Sequence, residues 1–216
     1  MNTGIVTVLC DFFGMNSYLL HTESGGDLCI VVDAGMEASP ILEELRRRNW
    51  RPEVILLTHG HMDHICGVPA LREAFPEAKV GIGVGDAEFL TSAAVNMSAG
   101  FGFPVTLPPA DFLFHDGDVR TFAGIPLEIR QTAGHTPGHV SYILPTDPVR
   151  AMVGDTIFQG SVGRTDFPGG DTGELYRSIR EKLYTLPDSA ILYPGHGPVT
   201  TVGEEKRTNP FVKGGV

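Results

Sequence analysis

Short continuous runs of apolar residues recur along the chain, and most of them end at a glycine or a polar loop. Runs of about four to eight such residues are typical of strands, and uniformly apolar runs are typical of strands buried on both faces. The predicted strands are Ile5–Cys10, Ser17–His21, Leu28–Asp33, Val54–Leu57 and Val80–Val84 in the first half, and Leu127–Gln131, Val140–Leu144, Ala151–Val153 and Ala190–Tyr193 in the second. The pattern predicts two similar, strand-rich halves.

Helical spacing of apolar residues appears between the predicted strands. Residues 40–48 form one predicted helix with an apolar stripe, and Ser39 is placed to cap it. Further helices are predicted at Val68–Phe75 and at Gly173–Leu186. Strands mixed with helices indicate an α/β or α+β fold. We predict one domain over residues 1–216, because a chain of 216 residues can bury a substantial single core.

The most informative chemistry lies in the segment Thr58-His-Gly-His-Met-Asp-His64, directly after the apolar run Val54–Leu57. It supplies four candidate metal ligands: His59, His61, Asp63 and His64. They fall on the loop that leaves the C-terminal end of a buried strand, where ligands collect in open α/β architectures. The segment predicts a metal site, and its ligand capacity exceeds the three protein ligands that a catalytic tetrahedral ion usually takes.

Three further candidate ligands follow apolar runs and are flanked by glycine. They are His135 in the segment Thr132–His139, Asp155 in Met152–Ile157, and His196 in Ile191–Pro198. Glycine beside a ligand permits tight turns and a close approach of the backbone to the site. Together with the 59–64 segment, these residues give enough donors for two divalent ions. The set needs no thiolate, so zinc, iron and manganese all suit it, with zinc as the first choice.

These motifs resemble the metallo-β-lactamase superfamily and, within it, the short bacterial form of glyoxalase II (hydroxyacylglutathione hydrolase). The resemblance covers nearly the whole chain and includes Val32–Gly35, Gly163–Gly170 and Asn209–Phe211. It implies an α+β fold, a four-layer αββα sandwich of two pseudo-repeated halves. It also implies the following ligand sets: His59, His61 and His135 for one ion, Asp63, His64 and His196 for a second, and Asp155 as a bridge.

The resemblance further implies a hydrolase in which a hydroxide bridging two ions attacks a thioester such as S-D-lactoylglutathione. Asp63 is then catalytic, because it also orients the metal-bound hydroxide, and Asp33 supports the metal loop. We expect His139 to support the site and not to bind metal. Long glyoxalase II enzymes hold glutathione with a C-terminal extension; this chain ends twenty residues after His196, so we do not expect glutathione specificity to carry over.

The same motifs are also compatible with other reactions. A persulfide dioxygenase would hold one Fe(II) with His59, His135 and Asp155, and such proteins share a stretch like Gly163–Phe167. The segments Pro194–Pro198 and Asn209–Phe211 fit the short hydrolases better. Lactonase and β-lactamase activities also remain open, because fold and ligands do not fix the leaving group. A non-catalytic binding module is disfavoured, because such a module should have lost at least one of the donors.

Two segments are predicted to shape the substrate pocket. The stretch 93–109 has no clear period, and a long irregular loop is often functional; alternatively, its aromatic side chains simply dock on the core. The glycine-rich stretch 159–170 follows Asp155 and carries Arg164. Arg164 can grip a substrate carboxylate through two hydrogen bonds. We favour instead a structural role, in which it pairs with Asp166 or Asp171 and orders the loop.

Composition and net charge restrict the kinds of partner and the cellular compartment that we expect for this protein. The formal net charge of −10 disfavours nucleic acid, for which a basic footprint is expected. The cysteines Cys10, Cys29 and Cys66 have no metal-finger or redox spacing and indicate reduced residues in a cytoplasmic protein. No apolar run approaches the roughly 18 residues of a membrane span, and residues 1–10 predict a strand and not a signal peptide. We therefore expect a cytoplasmic enzyme with a small-molecule thioester substrate and no nucleic-acid or membrane partner, and the oligomeric state stays open.

Overall fold

Two six-stranded sheets and one short hairpin make up the strands of the computed structural model, which describes residues 3–10 and 14–213. The first sheet follows chain order: β1 (Thr3–Cys10), β2 (Met15–Thr22), β3 (Leu28–Val32), β4 (Arg51–Leu56), β5 (Lys79–Gly83) and β6 (Phe112–Phe114). The strands of the second half are β7 (Val119–Phe122), β8 (Ile125–Gln131), β9 (Val140–Leu144), β10 (Arg150–Gly154), β11 (Ile157–Phe158), β12 (Ser161–Val162), β13 (Ile191–Pro194) and β14 (Thr200–Thr201). The second sheet has the order β14-β13-β10-β9-β8-β7, and β11 pairs with β12 as the hairpin.

Helices cover the outer faces of the two sheets. They are α1 (Ser39–Arg48), α2 (Met62–Ile65), α3 (Val68–Ala74), α4 (Ala87–Thr91), α5 (Thr172–Ser178) and α6 (Val202–Thr208). Ile41 and Leu45 of α1 pack with Val31 of the first sheet. Leu175 of α5 packs with Val153 of the second. No helix within residues 3–10 and 14–213 is long and apolar enough to cross a bilayer.

A third buried cluster lies between the sheets. Ile30 and Leu56 of the first sheet meet Leu127 and Tyr142 of the second there. Alternate residues of a central strand thus face the other sheet and the helices, which explains why these strands are apolar throughout. The layers are helix, sheet, sheet and helix, so the predicted αββα sandwich is confirmed.

The strands that carry the site share one direction in each sheet. β3, β4 and β5 are parallel neighbours. β10 is parallel to β13, and β8 runs the same way because both β8 and β10 are antiparallel to β9. The chain segments that leave the C-terminal ends of these strands carry all the candidate ligands.

Two details of the helix predictions were wrong. Ser39 is the first residue of α1 and not its cap; Ala38 holds the cap position, and no side chain bonds to the helix start. Pro40 in the first turn has no N–H, which leaves one donor fewer to cap. The predicted helix 173–186 is α5 followed by a π-helical turn at Ile179–Leu183. The wider turn keeps Ile179 and Leu183 buried with Leu175.

Candidate metal centre

The structure brings the seven candidate ligands together from four chain segments, which follow β4, β8, β10 and β13. One group of metal-ligating atoms within 4.8 Å of one another comprises His59, His61 and His135. A second group on the same criterion comprises Asp63, His64 and His196. These two groups are the ligand sets that the sequence analysis assigned to two separate ions.

Asp155 lies between the two groups. Its Oδ2 atom is 3.7 Å from Nε2 of His135 and also 3.7 Å from Nε2 of His196. Its Oδ1 atom is 3.4 Å from Nε2 of His64. One carboxylate therefore faces ligands of both groups, which is the position that a bridging ligand requires.

Several buried atoms of the cluster point at one another without a hydrogen bond among the described residues. Nε2 of His59, Nε2 of His64 and Oδ1 of Asp155 are buried and lack a partner. Nδ1 of His61, by contrast, is within hydrogen-bond distance of Nε2 of His135, at 2.9 Å. Unpaired buried polar atoms cost free energy, and imidazole and carboxylate groups are the donors that zinc, iron and manganese take. The residues therefore fit a metal centre.

Hydrogen bonds behind the ligands fix which imidazole nitrogen is free. Nδ1 of His64 donates to Oδ2 of Asp33 at 2.9 Å, since a carboxylate accepts. Asp33 also accepts from the backbone N–H of Thr58 at 2.8 Å and from its hydroxyl at 2.9 Å. Nε2 of His64 is therefore left to face the centre.

His135 and His139 are oriented in the same way. The carbonyl oxygen of Arg164 accepts from Nδ1 of His135 at 2.7 Å, which leaves Nε2 of His135 with a lone pair. Nε2 of His139 accepts from the backbone N–H of Asp155 at 3.1 Å, and the Nδ1 side lies 3.0 Å from the Thr132 hydroxyl. Both nitrogens of His139 are thus occupied, as expected for a residue that supports Asp155 without binding metal.

Burial and neighbouring charges shift the pKa values of the candidate ligand histidines, downward for some and upward for others. Burial lowers the pKa of His61 to about 3, and burial with neighbouring histidines holds the pKa of His59 well below its ordinary value. Burial likewise lowers the pKa of His135. These three imidazoles are neutral at pH 7 and able to bind a cation. Burial also opposes charge on His64, but the carboxylates of Asp33, Asp155 and Asp63 raise its pKa well above the ordinary value.

Glycine is required where the backbone passes closest to the ligands. A Cβ atom at Gly195 would overlap Oδ1 of Asp155 and lie 2.7 Å from Cε1 of His64. Gly154, just before Asp155, has a φ of +46° and would overlap the Thr58 hydroxyl. Both glycines let two strand ends meet at the centre.

Asp86 is a site residue that the sequence analysis missed. It is fully buried, and it accepts from the backbone N–H of Gly60 at 3.0 Å, the Thr136 hydroxyl at 2.6 Å and the backbone N–H of Gly138 at 2.6 Å. It therefore joins the 59–61 loop to the 135–139 loop. Asp86 follows an apolar strand and a glycine, the pattern used to find Asp155, so that pattern would have identified it.

A cavity of about 220 Å³ opens beside the ligands. Its apolar walls are Met62, Met97, Phe101 and Phe167. The ring of Phe101 stays 52% exposed, so the 93–109 loop shapes the pocket instead of docking its aromatic rings on the core.

Arg164 also lines the cavity, but its side chain is already paired. Its guanidinium donates twice to Asp166, at 2.7 Å for each bond, and lies 3.8 Å over the Phe167 ring. Of the two partners predicted for Arg164, the structure selects Asp166; Asp171 instead caps α5 by accepting from the N–H of Glu174.

Comparison with known proteins gives concordant matches. Residues 10–196 match the family model described as the metallo-beta-lactamase superfamily. The hydroxyacylglutathione hydrolase GloC of Haemophilus influenzae is 38% identical over 214 residues, which cover 98% of this chain and 98% of that protein.

Solved structures match over nearly the full length. BLEG-1, a B3 metallo-beta-lactamase, aligns with a TM-score of 0.91 at 35% identity, covering 98% of this chain and 100% of that chain. TTHA1623, determined in a di-iron-bound form, aligns with a TM-score of 0.83 at 34% identity, covering 96% of this chain and 100% of that chain.

Proposed function

This chain belongs to the metallo-β-lactamase superfamily, and on that basis we propose that it is a thioester hydrolase that works with two divalent metal ions. The observation that carries the proposal is the position of Asp155, whose carboxylate faces His135 of one ligand group and His64 and His196 of the other. The balanced reaction adds water across the C–S bond of the thioester and yields a carboxylic acid and a thiol.

Seven side chains would hold the ions: His59, His61 and His135 one, Asp63, His64 and His196 the other, and Asp155 both. When bound, two divalent ions supply a hydroxide nucleophile at neutral pH and positive charge for the carbonyl oxygen and the departing thiolate. The di-iron form of TTHA1623 supports two-ion occupancy of a related fold. Zinc is our first choice for this chain, with iron and manganese as the alternatives.

The protein groups position the reactants. Oδ2 of Asp63 lies 3.3 Å from Nε2 of His196, and Asp63 lines the cavity, so we assign Asp63 the task of orienting the nucleophile. Phe101 and Phe167 exclude water from the acyl group. The side chain of Asp63 keeps 24% of its surface exposed, which gives the substrate water a path to the centre.

The size of the cavity points to the acyl end of the substrate. About 220 Å³ is smaller than the roughly 300–1,000 Å³ of a typical small-molecule site. We therefore propose that the cavity takes a small acyl group and the thioester, while most of the thiol carrier stays outside. The 38% identity to a hydroxyacylglutathione hydrolase supports S-D-lactoylglutathione as the first substrate to assay.

The one-iron persulfide dioxygenase is the weaker candidate. That site would use His59, His135 and Asp155 and would leave Asp63, His64 and His196 without a task. Those three residues converge within 4.8 Å of one another and include a fully buried imidazole nitrogen with no hydrogen-bond partner among the described residues. A second ion gives each of them a role.

The test combines metal analysis with two substrates. We expect purified protein to carry two ions and to hydrolyse S-D-lactoylglutathione, with the reaction followed as loss of thioester absorbance. It should also hydrolyse D-lactoyl-N-acetylcysteamine, which has the same acyl group and thioester but a different thiol carrier. Asp155→Ala should lower kcat/KM by at least about a hundredfold, whereas His115→Ala, an exposed histidine, should not. One bound iron, no hydrolysis and oxygen uptake with glutathione persulfide would reject the proposal in favour of the dioxygenase.

A further inference from the structure

The segment Asn209–Phe211 supplies no ligand and does not line the cavity, yet Asn209 is fully buried. Its Nδ2 group donates to the carbonyl oxygen of Ser161 and to Oε2 of Glu205, at 2.9 Å in both cases. Its Oδ1 atom accepts from the backbone N–H of Phe211 at 3.0 Å. Both ends of the amide are therefore used, and one of them reaches the β11–β12 hairpin.

Glu205 of α6 reaches the same hairpin. It is fully buried, and its Oε2 atom accepts from the backbone N–H of Gly160 at 3.0 Å. Its Oε1 atom accepts from the Thr200 hydroxyl at 2.6 Å. Among the described residues it forms no ion pair, so only neutral donors compensate the buried carboxyl group. Burying such a group is costly, which indicates a specific positional task.

The hairpin that these two side chains hold lies between ligands of both proposed metal sites. Asp155 stands two residues before β11. The Phe158 ring packs edge-on against the His196 imidazole, with 6.1 Å between ring centroids. Two residues after β12, the carbonyl oxygen of Arg164 accepts from Nδ1 of His135. The hairpin contacts His196, and the residue two positions beyond it contacts His135.

We propose that Glu205 and Asn209 are positioning residues that clamp the tip of the β11–β12 hairpin and thereby set the orientations of His135 and His196. The inference rests on the proposed metal centre, but not on the choice of a thioester as substrate. It gives a role to the Asn209–Phe211 motif, which the reaction itself does not use.

The coupling acts through a short piece of chain. Only two residues separate Ser161, held by Asn209, from Arg164, whose carbonyl oxygen orients His135. If the hairpin tip shifts, the hydrogen bond to Nδ1 of His135 lengthens, and Nε2 of His135 no longer points at the centre. Loss of such supporting contacts typically costs about 10–100-fold in metal affinity.

The test uses two hairpin variants and one matched control. Asn209→Ala removes the bond to Ser161. Glu205→Leu keeps a similar volume but removes both acceptor oxygens, so the backbone N–H of Gly160 loses its partner. Thr201→Ala is the control, because Thr201 caps the same helix by accepting from Glu204 at 3.2 Å and makes no hydrogen bond to the hairpin among the described residues.

Three readouts separate positioning from general destabilisation. They are the zinc affinity by competition with a chelator, the visible absorption spectrum of the cobalt-substituted protein, and the solvent exchange of the His135 Nδ1 proton by NMR of isotope-labelled histidine. We expect both hairpin variants to bind zinc about 10–100-fold more weakly, with an altered cobalt spectrum and faster proton exchange. Thr201→Ala should lose stability without these changes.

The inference is overturned if both hairpin variants match Thr201→Ala in zinc affinity, cobalt spectrum and proton exchange. If Asn209→Ala does not fold, Glu205→Leu decides the question by the same readouts. A wild-type protein that takes up no metal would overturn the centre and this inference together, an outcome distinct from the first.

Discussion

His64 donates from Nδ1 to the Asp33 carboxylate at 2.9 Å, and this bond determines which nitrogen of His64 faces the proposed second ion. Asp33 directly follows β3 and has a left-handed backbone, at a φ of 57°. A non-glycine residue in that conformation is uncommon. Because the left-handed turn brings the carboxylate to Thr58 and His64 together, the strained backbone has a direct structural use.

We expect Asp33→Asn to empty the second site preferentially. The amide oxygen must take the Oδ1 position, because the backbone N–H of Thr58 that faces it can only donate. The amide nitrogen then points N–H groups at Nδ1 of His64 and at the Thr58 hydroxyl, so His64 is driven to the other tautomer and carries its proton on Nε2. The affinity of the Asp63, His64 and His196 site should fall about 10–100-fold. Metal content after dialysis should then approach one ion per chain. Asp27→Asn, in an exposed ion pair with Arg51, is the control; two tightly held ions in Asp33→Asn would contradict the expectation.

We expect Asp86→Ala to destabilise the protein by roughly 3 kcal/mol or more. The substitution leaves three donors, at Gly60, Thr136 and Gly138, without their acceptor, and two of them bond at 2.6 Å. Equilibrium unfolding in urea measures the loss. Asp118→Ala removes an acceptor from an exposed turn and should cost less than about 1 kcal/mol. Equal losses in the two variants would show that Asp86 does not tie the two loops together.

We expect Phe101→Ala to raise KM for thioesters with apolar acyl groups by about tenfold, with little change in kcat. Phe101 lines the cavity, and covering its ring with substrate is worth about 1.4 kcal/mol. Phe103, a neighbouring exposed aromatic residue outside the cavity wall, provides the matched variant Phe103→Ala. Steady-state kinetics over a series of acyl chain lengths makes the comparison. A similar rise in KM for both variants would reject a specific acyl contact.

We expect removal of metal to lower thermal stability. A chelator leaves the buried Nε2 lone pair of His59 and the carboxylates of Asp63 and Asp155 without a metal ion. Zinc at about 100 times its dissociation constant should add about 2.7 kcal/mol per site. Differential scanning calorimetry with and without zinc measures the shift in Tm. His59→Ala should show a smaller shift in Tm. If zinc does not change the Tm of the wild-type protein, the metal centre is contradicted.

Much of this arrangement could be predicted from local pattern. Strands buried on both faces appear as continuous apolar runs, so Val54–Leu57 and Ala151–Val153 were located, and the residues that follow them were predicted as ligands. The family resemblance, confirmed by the comparisons, added the layer order. A supporting role of Asp33 at the metal loop was also expected, on the basis of the family resemblance, whereas its contact with His64 was not.

The remaining features depend on contacts distant in sequence. Asp86 meets Thr136 across 50 positions of the chain, and Glu205 meets Gly160 across 45. Neither pairing produces a periodic pattern in the amino-acid sequence. The strand Phe112–Phe114 was missed because it has only three residues, and Ser39 was misplaced because Pro40 lets the helix start without a side-chain cap.

The two sheets contribute unequal shares of each ligand group. His59 and His61 come from the first half of the chain and His135 from the second; Asp63 and His64 come from the first half and His196 from the last strand pair. Neither half alone holds a complete ligand group. During synthesis, the second group therefore stays incomplete until the Pro194–His196 turn has left the ribosome and docked beside Asn16. Metal binding by either proposed group therefore requires that both halves of the chain have assembled, and it reports that assembly.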